Sequence, residues 1–167
     1  MNEKRLFEKG QIFHICNKSI ANYGIFKDQR NSIRFIKTLA YYNSFEKQKK
    51  LSNYLKLKNI KKDDFNLLDF NINNKVKILA YCIMPDHYHL LIKVLTDNVV
   101  SKYISDVENS FSRYFNIKFK RKGPLWQSRF RSVEIKTKEQ LLHVSRYIHL
   151  NPITSELVSK PEECEFS

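Results

Sequence analysis

Two apolar runs, Val76 to Met84 (VKILAYCIM) and His87 to Val94 (HYHLLIKV), are separated only by Pro85-Asp86. Each has the length of a strand and ends at turn-forming residues. Parallel strands need a crossover of about a dozen residues or more, so these two must pair antiparallel as a hairpin. The first run is nearly continuous in apolar residues, which suits a central strand buried on both faces.

The other segments build around this hairpin. Gln11 to Asn17 (QIFHICN) is aromatic and β-branched and reads as a strand. Asp28 is placed to cap a helix whose apolar residues Ile33, Phe35, Ile36, Leu39 and Ala40 recur at helical spacing. A second helix is expected from Asn98 to Ile117, with Tyr103, Val107, Phe111, Tyr114 and Phe115 as its stripe. Arg129 to Ile135 (RFRSVEI) alternates as a strand, and Lys138 to Leu150 forms a last helix that should stop near Asn151-Pro152. The order β-α-β-β-α-β-α is an α+β, ferredoxin-like split βαβ arrangement: an antiparallel sheet with packed helices and an added C-terminal helix.

With 167 residues, 3 Gly and 4 Pro, the chain reads as a single domain over 1–167. The stretch at about 51–74 is Lys- and Asn-rich and breaks the pattern. It reads as an insertion, either a solvated charged face or a DNA-contacting extension. The three cysteines, Cys16, Cys82 and Cys164, form no CxxC pair, so a zinc ribbon is not expected and reduced thiols in a cytoplasmic protein are. No apolar run approaches the ~18 residues of a membrane span, so no membrane partner is expected.

The balance of 30 Lys+Arg against 17 Asp+Glu gives a formal charge of +13. Such a surface suits an anionic partner, nucleic acid above all. A Lys-rich, AT-rich genome would raise the charge as well. From Lys118 to Arg131 (KFKRKGPLWQSRFR), the basic residues Lys118, Lys120, Arg121, Lys122, Arg129 and Arg131 interleave with aromatic ones. Positive charge tracks a phosphate backbone and aromatic faces stack on unpaired bases. Trp126 is therefore either a base platform or a core anchor. Arg129 and Arg131 would share one strand face.

Side chains alternate across a strand, so His87 and His89 share a face while Tyr88 points the other way. Two imidazoles at that spacing suit one divalent metal, with oxygen or amide ligands completing the set. A bare HxH more often holds ordinary polar side chains, but two histidines in a central strand are costly unless paired or coordinated. On the last helix His143, Tyr147 and Asn151 face one way, beside an apolar stripe of Leu141, Val144 and Ile148. Tyr147 is thus either a boundary tyrosine or a phenol presented to a phosphodiester. A phenol needs help to act as a nucleophile, and a metal that polarises the phosphate supplies it. Asn151, one turn on, would bring a carbonyl oxygen to the same metal. His14, on the first strand with Ile12 and Cys16, is read as structural.

These residues carry a family resemblance. MPDHYHLLIKV resembles the His-hydrophobe-His (HUH) strand of the single-tyrosine HUH transposases, and LLHVSRYIHLNP resembles their tyrosine helix. LWQSRFRSVEI and FHICNKSIANYGIF are similar to tracts of the branch called REP-associated tyrosine transposases. The four motifs occur in the right order between Gln11 and Val158. The resemblance implies a metal-dependent tyrosine endonuclease and strand-transfer enzyme acting on single-stranded or hairpin DNA as a monomer or homodimer. It implies that His87, His89 and Asn151 hold Mg²⁺ or Mn²⁺, and that Tyr147 forms a 5′-phosphotyrosine link and releases a 3′-hydroxyl. A domesticated, non-cleaving binder of single-stranded or hairpin nucleic acid is the alternative.

Overall fold

In the computed structural model, which describes residues 6–45, 51 and 74–154, strand β1 (Ile12–Lys18) leads through a short 3₁₀ turn (Ile20–Asn22) into helix α1 (Gln29–Asn43). The hairpin follows as β2 (Val76–Ile83) and β3 (His87–Val94), then α2 (Val100–Lys118), β4 (Arg131–Ile135) and α3 (Lys138–Thr154). The strands form one antiparallel sheet in the order β2-β3-β1-β4. That order is the ferredoxin-like one expected from the sequence. The stretch at about 51–74 lies almost wholly outside the described residues. Among the described residues no helix is long and apolar enough to cross a membrane.

The sheet is covered on both sides, by different parts of the chain. Helices α1 and α2 bury Phe35, Leu39, Tyr103, Ile104, Val107, Phe111 and Phe115 against Phe13, Ile15, Tyr88, Leu90 and Ile92. The Asp28 side chain caps α1 as expected, accepting from the Arg30 N–H at 2.9 Å. On the opposite face α3 sets Ile148, with Leu141 and Val144, against Ala80, Cys82, Met84 and Leu91. Fully burying Ile148 alone stabilises this docking by about 1.5–3 kcal/mol.

Some local expectations are corrected. β2 is an edge strand, not a central one. Its apolar run is explained by helices on both faces and by a register shift between Ile78 and Ala80. The shift turns Val76 and Ile78 toward α1 and α2, but Ala80 and Cys82 toward α3. Helix α2 begins at Val100 because Asn98 has a positive φ of 59°, which a helix cannot include. β4 begins at Arg131, so Arg129 lies outside it and the alternation argument for the Arg129/Arg131 pair does not apply. Helix α3 does not stop at Asn151; it continues through Pro152 to Thr154. Proline there removes one backbone hydrogen bond, and Asn151 and Pro152 are both buried, which offsets that loss.

A buried carboxylate ties the sheet to α2. Glu108 Oε1 accepts from Asn17 Nδ2 at 2.7 Å and from the Tyr88 hydroxyl at 2.8 Å. Asn17 and Tyr88 are opposite one another in the β1–β3 ladder, so one carboxylate clamps both strands. Burial pushes the Glu108 carboxyl up to about 7, against the opposing pull of the Asn17 and Tyr88 hydrogen bonds. The unfolded chain releases this proton near the ordinary value of 4.5, so between about pH 4.5 and 7 the folded state holds a proton that the unfolded state has lost. Stability therefore falls as pH rises through that window, by an amount of order 3 kcal/mol. Glu108→Gln keeps an acceptor oxygen and removes the titration. Denaturant unfolding at ~pH 5 and ~pH 8 should show the fall in the wild type and its loss in the variant; equal slopes would sink the assignment.

Candidate active site

Alternation along β3 puts His87, His89 and Leu91 on the face covered by α3, and Tyr88, Leu90 and Ile92 in the opposite core. β1 lies beside β3 with Cys16 across from His89 and Lys18 across from His87. His14, Cys16 and Lys18 therefore share the histidine face. Helix α3 crosses this face and brings the Tyr147 ring to 5.5 Å from the His89 ring and 6.3 Å from the His14 ring. The tyrosine belongs to the same chain as the histidines it meets. It stays 47% exposed, so a bulky substrate can reach it.

Each histidine of the pair has its Nδ1 engaged. His87 Nδ1 is 2.6 Å from Asp86 Oδ1, and Asp86 Oδ2 in turn meets Lys18 Nζ at 3.3 Å. His89 Nδ1 is 2.9 Å from His14 Nε2. A carboxylate can only accept from a neutral imidazole's N–H, so Asp86 selects the His87 tautomer whose Nε2 carries the lone pair. His89 Nε2 is buried and has no hydrogen-bond partner. Such an atom typically costs about 1–3 kcal/mol when nothing binds it. The two rings lie 5.0 Å apart at 90°.

Burial favours the neutral form of the His89 and His14 imidazoles. Burial pushes His89 down to about 3, and the nearby His87 and His14 push the same way. Burial also lowers His14. Asp86 is raised by burial, but its hydrogen bonds and charge contacts with His87 and Lys18 win and hold it below the ordinary carboxylate value. Neutral imidazole is the metal-ligating form. Ligating histidines characteristically donate their second N–H to a carboxylate or other acceptor. The donor set thus fits a divalent metal held by His87 and His89, with Nε2 as the ligand atom. Asn151, one turn past Tyr147, is buried at the end of α3, whereas His143 is exposed.

The basic tract divides in two. Lys118 is committed within the fold: its Nζ meets Asp28 Oδ2 at 3.0 Å and Asn31 Oδ1 at 2.7 Å, tying the end of α2 to the start of α1. Arg121 donates to Asn116 Oδ1 and to the Pro124 carbonyl, bracing its own loop. In that loop Gly123 takes a φ of 96°, a conformation that favours glycine. Lys120, Lys122, Arg129 and Arg131 are exposed, and Arg131 lies across from Cys16 at the edge of the histidine face. Trp126 packs against Tyr88, Phe26, Phe35 and Phe111 and donates from Nε1 to the Glu108 carbonyl at 3.2 Å. These contacts make it a core anchor and speak against the base platform.

The sequence marks His14 as structural and assigns no role to Cys16, Lys18, Asp86 and Glu108. A signal for the first three was present in β1: Phe13 and Ile15 alternate with His14 and Cys16, which marks a polar face. Asp86 marks the turn and directly precedes His87, whose Nδ1 it meets. Nothing local distinguishes Glu108 from a solvated helix residue.

Comparison with known proteins adds a family. A family model described as "Transposase IS200 like" matches residues 48–151. Among solved structures, a REP-associated tyrosine transposase bound to a REP hairpin superposes with a TM-score of 0.66 at 15% identity. That match covers 99% of this chain and 81% of the other, and it speaks to the fold. A putative transposase from Deinococcus radiodurans R1 is 13% identical, with 89% and 95% of the two chains covered and a TM-score of 0.48. No curated protein matches the chain significantly.

Proposed function

The chain belongs to the IS200-like transposase family, and on that premise we propose that it is an HUH-type endonuclease and strand-transfer enzyme that cleaves single-stranded or hairpin DNA through Tyr147. The observation that carries this reading is the meeting of Tyr147 with His89, 5.5 Å from ring to ring, on the face where His87 also stands. The solved transposase bound to a REP hairpin supports DNA of that shape as substrate.

His87 and His89 would hold Mg²⁺ or Mn²⁺ through their Nε2 atoms, with the Asn151 carbonyl oxygen as a further ligand. A divalent ion bound there supplies positive charge to the scissile phosphate. Asp86 and His14 keep the two rings oriented by holding their Nδ1 atoms. Tyr147 gives up its phenolic proton and its oxygen bonds to phosphorus. The bond from phosphorus to the 3′ oxygen breaks, and that oxygen takes a proton to become the free 3′-hydroxyl. The 5′ phosphate remains on the tyrosine, its energy conserved for joining to another 3′ end. The exposed Lys120, Lys122, Arg129 and Arg131 are the contacts assigned here to the DNA backbone.

The test is direct. The protein is incubated with end-labelled hairpin and single-stranded DNA, with Mg²⁺ or Mn²⁺ and with a chelator. A denaturation-resistant protein–DNA adduct that needs the metal is expected. Binding without any adduct, across hairpins and both metals, would leave the non-cleaving binding protein as the better description.

A further inference from the structure

The histidine face holds a second ligand set, which shares His89 with the cleavage site and adds His14 and Cys16 to it. His14, Cys16 and His89 each bring one ligand atom to within 4.8 Å of the others. The sheet enforces this meeting: Cys16 is paired across from His89, and His14 hydrogen-bonds to it. In a tetrahedral zinc site, Zn–N of about 2.0–2.1 Å and Zn–S of about 2.3 Å set neighbouring ligand atoms roughly 3.4–3.7 Å apart. The widest separation exceeds this by about 1 Å at most, while the His14–His89 nitrogens at 2.9 Å open slightly.

We propose that His14, Cys16 and His89 form a binding site for a thiophilic divalent metal of the zinc class, distinct from the His87–His89 pair but sharing His89 with it. The ligand chemistry decides the class. A thiolate with two imidazoles selects Zn²⁺ or Co²⁺, whereas Mg²⁺ and Mn²⁺ prefer oxygen ligands. Binding exchanges the His14–His89 hydrogen bond for two metal–nitrogen bonds and releases the thiol proton of Cys16. The proposal rests on the proposed function only in that the two sites compete for His89; the ligand set itself stands without it.

Co²⁺ serves as the probe, added to the whole chain without DNA under reducing conditions. A thiolate-to-cobalt charge-transfer band and the intense visible bands of tetrahedral cobalt are expected, with one ion per chain, displaced by Zn²⁺. The charge-transfer band should vanish in Cys16→Ser and persist in His87→Ala. It should also persist in Cys82→Ser, because Cys82 is buried among Ala80, Met84, Leu91 and Ile148. Loss of an outer partner alone costs about 10–100-fold in metal affinity. Loss of the thiolate ligand should therefore lower Zn²⁺ affinity by roughly 100-fold or more. A cobalt-saturated wild type without the band, or a band that survives Cys16→Ser, overturns the site. Alkylation of wild-type Cys16, followed by peptide mass spectrometry, needs no mutant: Zn²⁺ should slow it and Mg²⁺ should not, and equal rates count against the proposal. A band without any DNA adduct keeps this site and removes the cleavage reading; an adduct without the band does the reverse.

Discussion

Tyr147→Phe is expected to abolish both DNA cleavage and the covalent adduct while leaving the fold intact. The substitution removes one oxygen and keeps the ring that faces His14 and His89. Tyr147 is 47% exposed, so the change falls among surface substitutions, which usually alter stability by less than about 0.5 kcal/mol. Activity should respond very differently. Removing a nucleophile outright costs about 10⁶-fold in a serine protease, and among the described residues Tyr147 is the tyrosine whose ring meets the histidine rings. Tyr88 and Tyr103 are buried in the opposite core, with their hydroxyls on Glu108 and on the Leu39 carbonyl. Tyr114 bonds to Asn31 on that same side. Tyr103→Phe and Tyr114→Phe should therefore keep the adduct, and peptide mass spectrometry of the wild type should place it on Tyr147. An adduct mapped to Tyr114 or Tyr103 would falsify the assignment while sparing the enzyme class.

His87→Ala and His89→Ala should each remove metal-dependent cleavage with DNA binding retained. The two differ in what else they disturb. His87→Ala leaves Asp86 still paired with Lys18, so the hairpin turn keeps a charge partner. His89→Ala deletes a buried ring and the partner of His14, so a modest loss of stability accompanies it. If the role is metal binding, raising Mn²⁺ should restore some adduct in whichever single mutant retains the better remaining ligand. The double mutant should show none at any metal concentration. Normal cleavage in the double mutant would dispose of the metal pair. Hairpin affinity that collapsed with the first substitution would instead recast the histidines as DNA contacts.

The hairpin, the shared face of His87 and His89, and the apolar stripes of all three helices were legible in the sequence because each follows from local periodicity. A two-residue break cannot support a crossover, and a period of two leaves no freedom about which side chains share a face. The errors were also local. Asn98 has left-handed backbone geometry that no pattern announces, and Pro152 does not end the helix in its buried surroundings. β2 is buried on both faces, as its apolar run predicts, yet it is an edge strand: a third helix closes over one of its faces.

Sequence by itself determined the elements, their order and the two faces of each strand, since neighbouring residues along a backbone have almost no choice in these matters. Which strands become neighbours is a long-range choice, made by the packing of the whole sheet. Only the tertiary structure set the register of β1 against β3, and with it His14 against the ring nitrogen of His89, 75 positions away along the chain. Only it packed Trp126 as a core anchor, one of the two roles open to it, and committed Lys118 to Asp28 and Asn31. It also put Glu108 behind the strand that carries the histidines, where burial shifts its proton affinity toward neutrality. Burial and proximity are properties of the folded surroundings, and a residue's type and spacing do not contain them.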